Sequence, residues 1–340
     1  MVRRPGPTAR SRQDRPAERA LNTLAGRIAG RLAGSVLVVA AAVTLSFVLI
    51  HAAPGDPLSN MGAEPMSPEL VARLRQAYRL DEPVLVQYGQ WLALALQGDF
   101  GYSPLAMRPV SALLADALPA TLQLMGMALL SSIGLGVLLG GWQGARADSP
   151  GDRSLSLLSL VMYSVPEFCL GIVLLMLFVP ALPPGGMTSD TADMLPLMQR
   201  IVDRLRHFIL PWLSLTIVGT AVFARFQRAA MRDTMREPFV RTARAKGLDE
   251  RQVRRQALRT SLLPVITIAG LTFPALLGGA VVVEKLFNWP GMGQLLWDAI
   301  SRRDHWVLAG AVVVGSTMTV LGNLLADVTR AAVDPRVERS

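Results

Sequence analysis

The sequence has little of the chemistry on which many enzymes and metal proteins depend. Cys169 is the one cysteine among 340 residues, which excludes an internal disulfide and a cysteine-rich metal site. Lysine occurs only as Lys246 and Lys285, and neither stands between a glycine and a serine or threonine, as a Walker A loop requires. If ATP is used, we therefore expect a partner to bind it.

Catalytic motifs are also missing. The chain has no His-Glu-x-x-His stretch and no Gly-x-Ser-x-Gly elbow. Its three histidines, His51, His207 and His305, stand far apart near the outer ends of apolar runs and do not have a metal-ligand spacing. The sequence therefore predicts no catalytic residues and no metal site, and a membrane-embedded hydrolase is disfavoured.

Apolar residues, by contrast, are abundant, at 51% of the chain against 17% charged residues. A run of about 20 apolar residues crosses a hydrocarbon layer of about 30 Å as a helix. The pattern predicts an all-α, polytopic membrane protein with six transmembrane helices. The first run is longer than a signal-peptide core and lacks a small-x-small cleavage site, so we interpret it as an uncleaved anchor. The runs are Leu32–Ala53, Pro119–Trp142, Leu155–Leu182, Phe208–Ala224, Pro264–Val283 and Val307–Leu325.

Lys and Arg are distributed unevenly between the two alternating sets of connecting segments. One set carries 24 of the 34 basic residues and the other carries 10. The positive-inside rule places the first set, with both termini, in the cytoplasm. Nucleic-acid binding is disfavoured, because topology explains the basic excess. The first set comprises residues 1–31, 143–154, 225–263 and 326–340, and the second 54–118, 183–207 and 284–306.

These segments define the predicted organisation. A basic cytoplasmic tail, rich in Arg and Pro and predicted to be disordered, precedes the first span. An external segment between the first two spans is predicted to hold helices from Ser67 and from Pro83 to Gln97, the latter ending at Gly98. They form a small external cap or, alternatively, one interfacial helix without a partner. The predicted segments are the tail 1–31, the first span 32–53, the external segment 54–118, the remaining spans 119–330 and the cytoplasmic tail 331–340.

The cytoplasmic loop at 233–263 has clear start and stop signals. Glu237 and Pro238 begin a helix, and Gly247 ends it as a residue able to take a positive φ. Asp249 caps a second, strongly basic helix, with Gln252 in the capping-box position. A helix, a glycine corner and a second helix form a protrusion that fits a groove on another protein. The alternative is a solvated basic loop that only fixes orientation.

Two spans contain residues that suit a transport path. Glu167 lies near mid-membrane, where a carboxylate is expensive unless it faces a cavity or a partner. The adjacent Pro166 interrupts helical hydrogen bonding. Either Glu167 lines a path, or it is a protonated or paired structural residue. The fifth span contains breakers and small residues, including Gly278 and Gly279, which indicate a bending pore-lining helix or close helix packing.

Several short motifs occur in an order that resembles the inner-membrane permease subunits of binding-protein-dependent ABC importers, specifically their dipeptide, oligopeptide and nickel branch. The resemblance extends from about residue 32 to residue 336. Two departures from the general family motif, Arg241-Thr242-Ala243 in place of Glu-Ala-Ala and a longer Gly-to-Pro interval, are similar to the peptide branch's own variant. The motifs are His51–Pro57, Tyr78–Pro83, Gln97–Gly101, Leu118–Leu122, Ser164–Phe168, Phe239–Gly247, Gly279–Gly293 and Asp334–Pro335.

The resemblance implies a type I ABC importer permease fold in the cell inner membrane, in contact with lipid. It implies a second, similar permease subunit, two ATPase subunits that bind ATP and magnesium, and an external solute-binding protein; this chain itself binds no cofactor. It also implies a set of ATPase-coupling residues: Phe239, Val240, Arg241, Thr242, Ala243, Lys246, Gly247, Leu263 and Pro264. The expected path residues are Ser164, Pro166, Glu167, Gly278 and Gly279. The expected binding-protein contacts are Trp289, Pro290 and Gly291, with a bare external loop as the alternative.

The cargo expected from this resemblance is a di- or oligopeptide. Nickel, glutathione or another small solute is the alternative, because the scaffold serves several cargoes. An ion-coupled secondary transporter is disfavoured, since it needs coupling ionisable groups in several spans and, usually, an inverted repeat. The sequence offers Glu167 alone and no convincing duplication.

Overall fold

The computed structural model describes residues 30, 34–49, 51–52, 69, 72, 75–76, 81–103, 105–277 and 281–333. The predicted terminal tails and the helix predicted from Ser67 lie largely outside these residues, as do Gly278 and Gly279. Apart from one short hairpin, the regular structure of the described part is helical, in agreement with the all-α prediction.

Eleven α-helices occur in the described part. Between α2 and α3 lies an antiparallel pair, β1 (Tyr102–Ser103) and β2 (Arg108–Pro109), in which Tyr102 lies opposite Pro109. A short 3₁₀ turn, Ala192–Met194, precedes α6. The helices are α1 (Gly34–Leu49), α2 (Val84–Ala95), α3 (Val110–Ala145), α4 (Pro150–Ser164), α5 (Glu167–Phe178), α6 (Leu197–Thr234), α7 (Pro238–Ala245), α8 (Glu250–Leu277), α9 (Val281–Leu286), α10 (Met292–Arg302) and α11 (His305–Val333).

Three helices of the described part are long and apolar enough to cross a membrane: α3, α6 and the His305–Leu324 part of α11. The pair α4 and α5 makes a fourth if it counts as one bent span. The helix in the first predicted span, α1, is shorter, and the fifth predicted span passes through residues 278–280, outside the described chain. The number of six spans therefore stays a prediction.

The predicted third span, Leu155–Leu182, is interrupted at Pro166, as predicted, and is sharply bent. Its residues belong to α4 and α5, whose axes meet at 101°. Val165 between them is extended, with φ −86° and ψ 125°, and Pro166 is the N-cap of α5. A proline disfavours the helical conformation of the residue before it and donates no backbone hydrogen bond, so the chain bends where hydropathy alone predicts a continuous run.

The helices α3 and α6 are both longer than predicted. The predicted second span began at Pro119, but α3 begins at Val110, inside the segment assigned to the external cap. Val110, Leu114 and Ala117 are buried there against α10 and α11, and this apolar contact explains the extra turns. The helix α6 extends beyond the predicted span in both directions, to 38 residues.

Close packing of α3 against α6 forms the centre of the molecule. Gly136, Gly140 and Gly144 recur every four residues on the face of α3 that meets α6. A Cβ at Gly144 would lie 2.6 Å from the Arg228 carbonyl oxygen, and a Cβ at Gly140 would overlap that of Ala224. Only glycine allows the two backbones to come so close.

Candidate functional site

The predicted helix, glycine corner and second helix are present between α6 and α8; we call Glu237–Arg259 the elbow. Glu237 is the N-cap of α7 and Pro238 its first residue. Gly247 has φ +78°, its N–H donates to the Arg244 carbonyl at 3.0 Å, and the next N–H donates to the Ala243 carbonyl at 3.2 Å. This pair of bonds is a Schellman motif, the glycine-dependent helix end.

Asp249 starts the second helix of the elbow, as predicted. Its carboxylate accepts a hydrogen bond from the backbone N–H of Arg251 at 3.2 Å, one residue before the N–H that a capping box uses. An ion pair crosses the corner, with Arg244 Nε 2.6 Å from Glu250 Oε1. Hydrogen bonding from Arg244 lowers the pKa of Glu250 and raises that of the arginine. The corner is thus fixed by both backbone and side-chain bonds.

One face of α7 is buried and the other is exposed in the described part of the chain. Val240 and Ala243 pack on Val253 of α8, with Phe239 partly buried beside them. The opposite face is exposed and polar; its members are Arg241, Thr242, Lys246 and Gly247. A short, rigid helix that presents such a face has the form of a docking element.

Five of the nine predicted coupling residues are not on this exposed face. Val240 and Ala243 are buried against Val253, with Phe239 partly buried beside them, and Leu263 and Pro264 lie further along α8. Leu263 and Pro264 are exposed on α8, which continues through Pro264 without a break. Fourteen residues of helix separate Glu250 from Pro264, or about 20 Å along the axis. Leu263 and Pro264 therefore lie in the middle of α8 and not at the corner, because α8 is one continuous helix from Glu250.

Gly247 is required for its backbone conformation rather than for space inside the chain. A Cβ at this position would meet no heavy atom within 4 Å among the described residues. Within the described chain, a side chain at position 247 would therefore be strained by the backbone conformation and not by a clash.

Three of the expected path residues meet at the bend between α4 and α5. Ser164, Pro166 and Glu167 are all exposed in this chain. The Ser164 hydroxyl donates to the Leu160 carbonyl at 2.8 Å, and Glu167 begins α5. The hydroxyl of Ser164, the carboxylate of Glu167 and the N-terminus of α5 therefore all lie at this bend. Their contact with cargo stays a prediction.

The Trp289-Pro290-Gly291 turn is mostly interior. Trp289 is 0% exposed, its indole N–H donates to the Ala120 carbonyl at 2.9 Å, and its ring meets the edge of Phe208 at 5.8 Å. Gly291 is buried as well, whereas Pro290 is exposed. In this conformation Pro290 is the member of the turn that is available to a binding protein.

A buried carboxylate that sequence reasoning missed organises this turn. Glu284 accepts hydrogen bonds from the Thr121 hydroxyl at 2.8 Å and from the N–H groups of Gly293 at 2.8 Å and Gln294 at 3.2 Å. Thr121 in turn accepts the Met292 N–H at 2.8 Å. We call this arrangement the Glu284 cap; it satisfies the first turn of α10 and ties it to α3.

Burial raises the pKa of Glu284, although its three hydrogen bonds act in the opposite direction. The cap explains why two of the motifs carry polar residues among apolar ones, since Thr121 belongs to Leu118–Leu122 and Glu284 to Gly279–Gly293. The sequence signal for a role of Glu284 was an acidic residue in an apolar run shortly before Pro-Gly-Met-Gly. No neighbouring residue indicated that Thr121 is its partner.

Among the described residues no three His, Cys, Asp or Glu side chains cluster so that they could hold a metal ion. His51 stacks on Phe47 with ring centroids 4.0 Å apart, and Nδ1 of His207 lies 2.9 Å from the Asp203 carbonyl. Both rings have local partners.

Comparison with known proteins gives two family matches. Residues 132–339 match the binding-protein-dependent transport system inner membrane component, and residues 27–125 match the N-terminal membrane component of such systems. The oligopeptide transport system permease protein AppB of Bacillus subtilis is 37% identical over 320 residues, 93% of this chain and 100% of that protein. The glutathione transport system permease protein GsiC of Salmonella typhimurium is 36% identical over 312 residues, 90% and 97%.

Proposed function

The chain belongs to the family of inner membrane components of binding-protein-dependent transport systems, and from this premise we propose that it forms part of the membrane path of a peptide importer driven by separate ATPase subunits. Its apolar spans and its lack of a Walker A loop suit a membrane subunit that depends on a partner for ATP. Both termini and the elbow face the cytoplasm, as the Lys and Arg distribution predicts.

The exposed face of the elbow is the observation on which the coupling role depends. In this proposal α7 enters a groove on an ATPase subunit, with Arg241, Thr242, Lys246 and Gly247 at the contact. Two ATPases bind ATP and magnesium, and their closure moves α7 together with α6 and α8. ATP shifts the permease between two states only through contacts that differ between those states.

The remaining partners follow the same division of labour. A second, similar permease chain completes the path, and an external solute-binding protein delivers cargo, with Pro290 near its contact. The path includes the bend at Ser164, Pro166 and Glu167 and the segment at Gly278 and Gly279.

Peptides are the proposed cargo class. AppB is named for oligopeptides and GsiC for glutathione, itself a small peptide, and both align over at least 90% of this chain. An exposed carboxylate at Glu167 provides a counter-charge for a peptide amine. Nickel or another small solute remains the second candidate, because the scaffold does not by itself select the cargo.

Reconstitution tests the proposal. The chain, its partner permease, the ATPases and the binding protein are placed in liposomes, and uptake of labelled tripeptide, glutathione and nickel is measured. We expect ATP-dependent tripeptide uptake that requires the binding protein. Uptake by the chain alone, driven by an ion gradient, would instead identify a secondary transporter.

A further inference from the structure

The helix α4 is attached to the rest of the chain in an unusual way. Within this fully described helix of 15 residues, Asp152 is the one buried residue, and its side chain is 0% exposed. Its apolar residues Leu157, Leu160 and Val161 are all exposed in this chain. The fixed attachment of α4 is therefore polar and lies at its first turn.

Asp152 is held by Arg228 of α6 through two parallel bonds. Arg228 Nη2 lies 2.7 Å from Asp152 Oδ2, and Arg228 Nε donates to Oδ1. Asp152 also accepts from the Asp148 N–H at 2.9 Å and from the Ser156 hydroxyl at 3.3 Å. A bidentate guanidinium–carboxylate pair fixes direction as well as distance, so α4 cannot rotate on α6 without breaking it.

A second contact joins the far end of α4 to the same part of α6. The guanidinium of Arg225 lies 5.0 Å from the centre of the Tyr163 ring. Arg225 and Arg228 are three residues apart on α6, whereas Asp152 and Tyr163 lie near opposite ends of α4. Both ends of α4 therefore contact the last turns of α6, and the bidentate pair at its first turn is the buried contact.

These contacts link two places that the proposed function uses. The helix α6 ends at Thr234, four residues before α7 begins, so its last turns move with the elbow. The other end of α4 leads into the bend at Pro166 and Glu167. A stiff helix held at its start transmits a displacement of α6 to that bend.

We infer that the Asp152–Arg228 pair is a positioning link that transmits motion of the elbow to the α4–α5 bend. This inference rests on the proposed function, because it assumes that an ATPase moves the elbow. Neither residue touches cargo or nucleotide; both act through the helices that they join.

A neighbouring pair provides a matched control. Arg232, one turn after Arg228 on α6, contacts Asp148 at 3.3 Å, and the Asp148 side chain is 63% exposed. This pair has the same charges and joins α6 to the turn that leads into α4, but water screens it. Asp148 has φ +67°, a conformation that asparagine also tolerates, so Asp148→Asn should not strain the corner.

The test measures motion and motor activity separately in the complete complex of permeases, ATPases and binding protein in lipid nanodiscs. In a Cys169→Ser background, spin labels at Leu130→Cys on α3 and Met176→Cys on α5 report the position of α5; both sites are exposed. The distance between the labels is measured without nucleotide and after trapping with ATP and vanadate. Copurification of the ATPases and ATP hydrolysis are measured on the same samples.

We expect the unaltered complex to show a nucleotide-dependent change in the label distance and Asp152→Asn to lose at least half of that change, with copurification and hydrolysis within twofold of normal. Arg228→Lys, which keeps the charge but loses the bidentate geometry, should show a smaller loss, and Asp148→Asn should behave as the unaltered chain.

A full distance change in Asp152→Asn would overturn the inference, as would an equal loss in Asp148→Asn. Loss of ATPase binding in Asp152→Asn would also overturn it, since the pair would then be needed for docking. If the unaltered chain fails to copurify with any ATPase, the proposed function fails and this inference fails with it.

Discussion

At the scale of single residues, glycine is the clearest case in which conformation and contact can be separated. Gly247 and Gly98 have φ of +78° and +83°, and both end a helix. At either position a Cβ would have no heavy atom of the described chain within 4 Å. Replacement by an ordinary residue therefore costs about 1–2 kcal/mol at either site through backbone strain alone. Only Gly247 lies on the proposed ATPase contact.

We predict that Gly247→Glu reduces ATP-dependent peptide uptake at least tenfold while expression and membrane insertion remain normal. A glutamate there places a bulky side chain in the proposed groove. Gly98→Glu, which carries the same strain on the external side, should keep at least half of the uptake. The measurement is uptake by liposomes at matched protein content. Equal uptake by the two variants would contradict a contact at Gly247.

The Glu284 cap makes a prediction about stability. Replacing Glu284 with alanine leaves the Gly293 and Gln294 N–H groups without their buried acceptor, which costs at least about 2 kcal/mol. Glutamine keeps an acceptor and should cost less. The Tm of the purified chain in detergent, measured for both variants at one pH, checks this order. An alanine variant as stable as the glutamine variant would contradict the role of the carboxylate.

The same residue predicts a pH dependence. Because burial raises the pKa of Glu284 above 4.5, ionisation is less favourable in the folded chain than in the unfolded one. Its contribution is therefore full below pH 4.5 and is lost as the pH rises through the raised pKa. The Tm of the unaltered chain should fall relative to that of Glu284→Gln as the pH increases across this window. A constant difference from pH 4 to 8 would show that Glu284 keeps an ordinary pKa.

Glu167 makes a prediction about cargo. If its carboxylate meets the amine of a peptide, Glu167→Gln should lower the uptake of a free tripeptide about tenfold, the size of one charge-assisted hydrogen bond, and leave that of the N-acetylated tripeptide unchanged. Ser164→Ala, at the other side of the bend, serves as the control. If Glu167→Gln prefers the free over the acetylated tripeptide as strongly as the unaltered chain does, Glu167 does not contact the peptide amine and its role is structural.

Residue-level prediction from the sequence succeeded where the physics is local. The helix start at Pro238, the corner at Gly247 and the cap at Asp249 each depend on neighbours within a few residues, and all three are present. Glu284 and Thr121 are 163 positions apart, and Asp152 and Arg228 are 76 apart. No local pattern gives such partners, because tertiary packing of the helices brings them together.

At the scale of elements, hydropathy located the apolar helices but not their ends or bends. Runs of apolar residues identified α3, α6 and α11, whereas the added turns of α3 depend on contacts with α10 and α11. The interruption at Pro166 was predicted from the proline itself, and the chain bends there by 101°. The size of the bend has no signal in the neighbouring residues.

The contact between α3 and α6 makes the element-scale prediction. A Cβ at Gly140 would overlap the Ala224 carbonyl, whereas one at Gly134, on the same helix, would meet no heavy atom of the described residues within 4 Å. We predict that Gly140→Ala destabilises the chain by about 1–3 kcal/mol through overpacking. Gly134→Ala should be neutral or stabilising by up to about 1 kcal/mol, since alanine favours helix. The Tm values of the two variants in detergent check this, and equal values would contradict the close approach.

At the scale of the whole molecule, sidedness is the property that the proposed function needs most. ATPases reach the elbow only if it faces the cytoplasm, and a binding protein reaches Pro290 only if that turn faces outward. The described spans do not by themselves fix the sides, so the prediction comes from the distribution of Lys and Arg. The chain's single cysteine makes the test simple, because Cys169→Ser gives a background without thiols.

In that background we predict that Lys246→Cys reacts with a membrane-impermeant maleimide only in inside-out vesicles, whereas Leu85→Cys on α2 and Pro290→Cys react only in right-side-out cells. Lys246 and Pro290 are exposed, and Leu85 is 85% exposed, so a failure to react reports sidedness rather than burial within the chain. Labels attached to the two termini should follow Lys246. If both termini lie on the same side as the elbow, the chain crosses the membrane an even number of times. Leu85, before α3, would lie outside, and Lys246, after α6, would lie inside. With α3 and α6 each crossing once, the bent α4–α5 pair must then cross once as a unit. Reaction of Lys246→Cys from outside would show that the elbow faces outward, where no ATPase could bind it, and would contradict the coupling proposal.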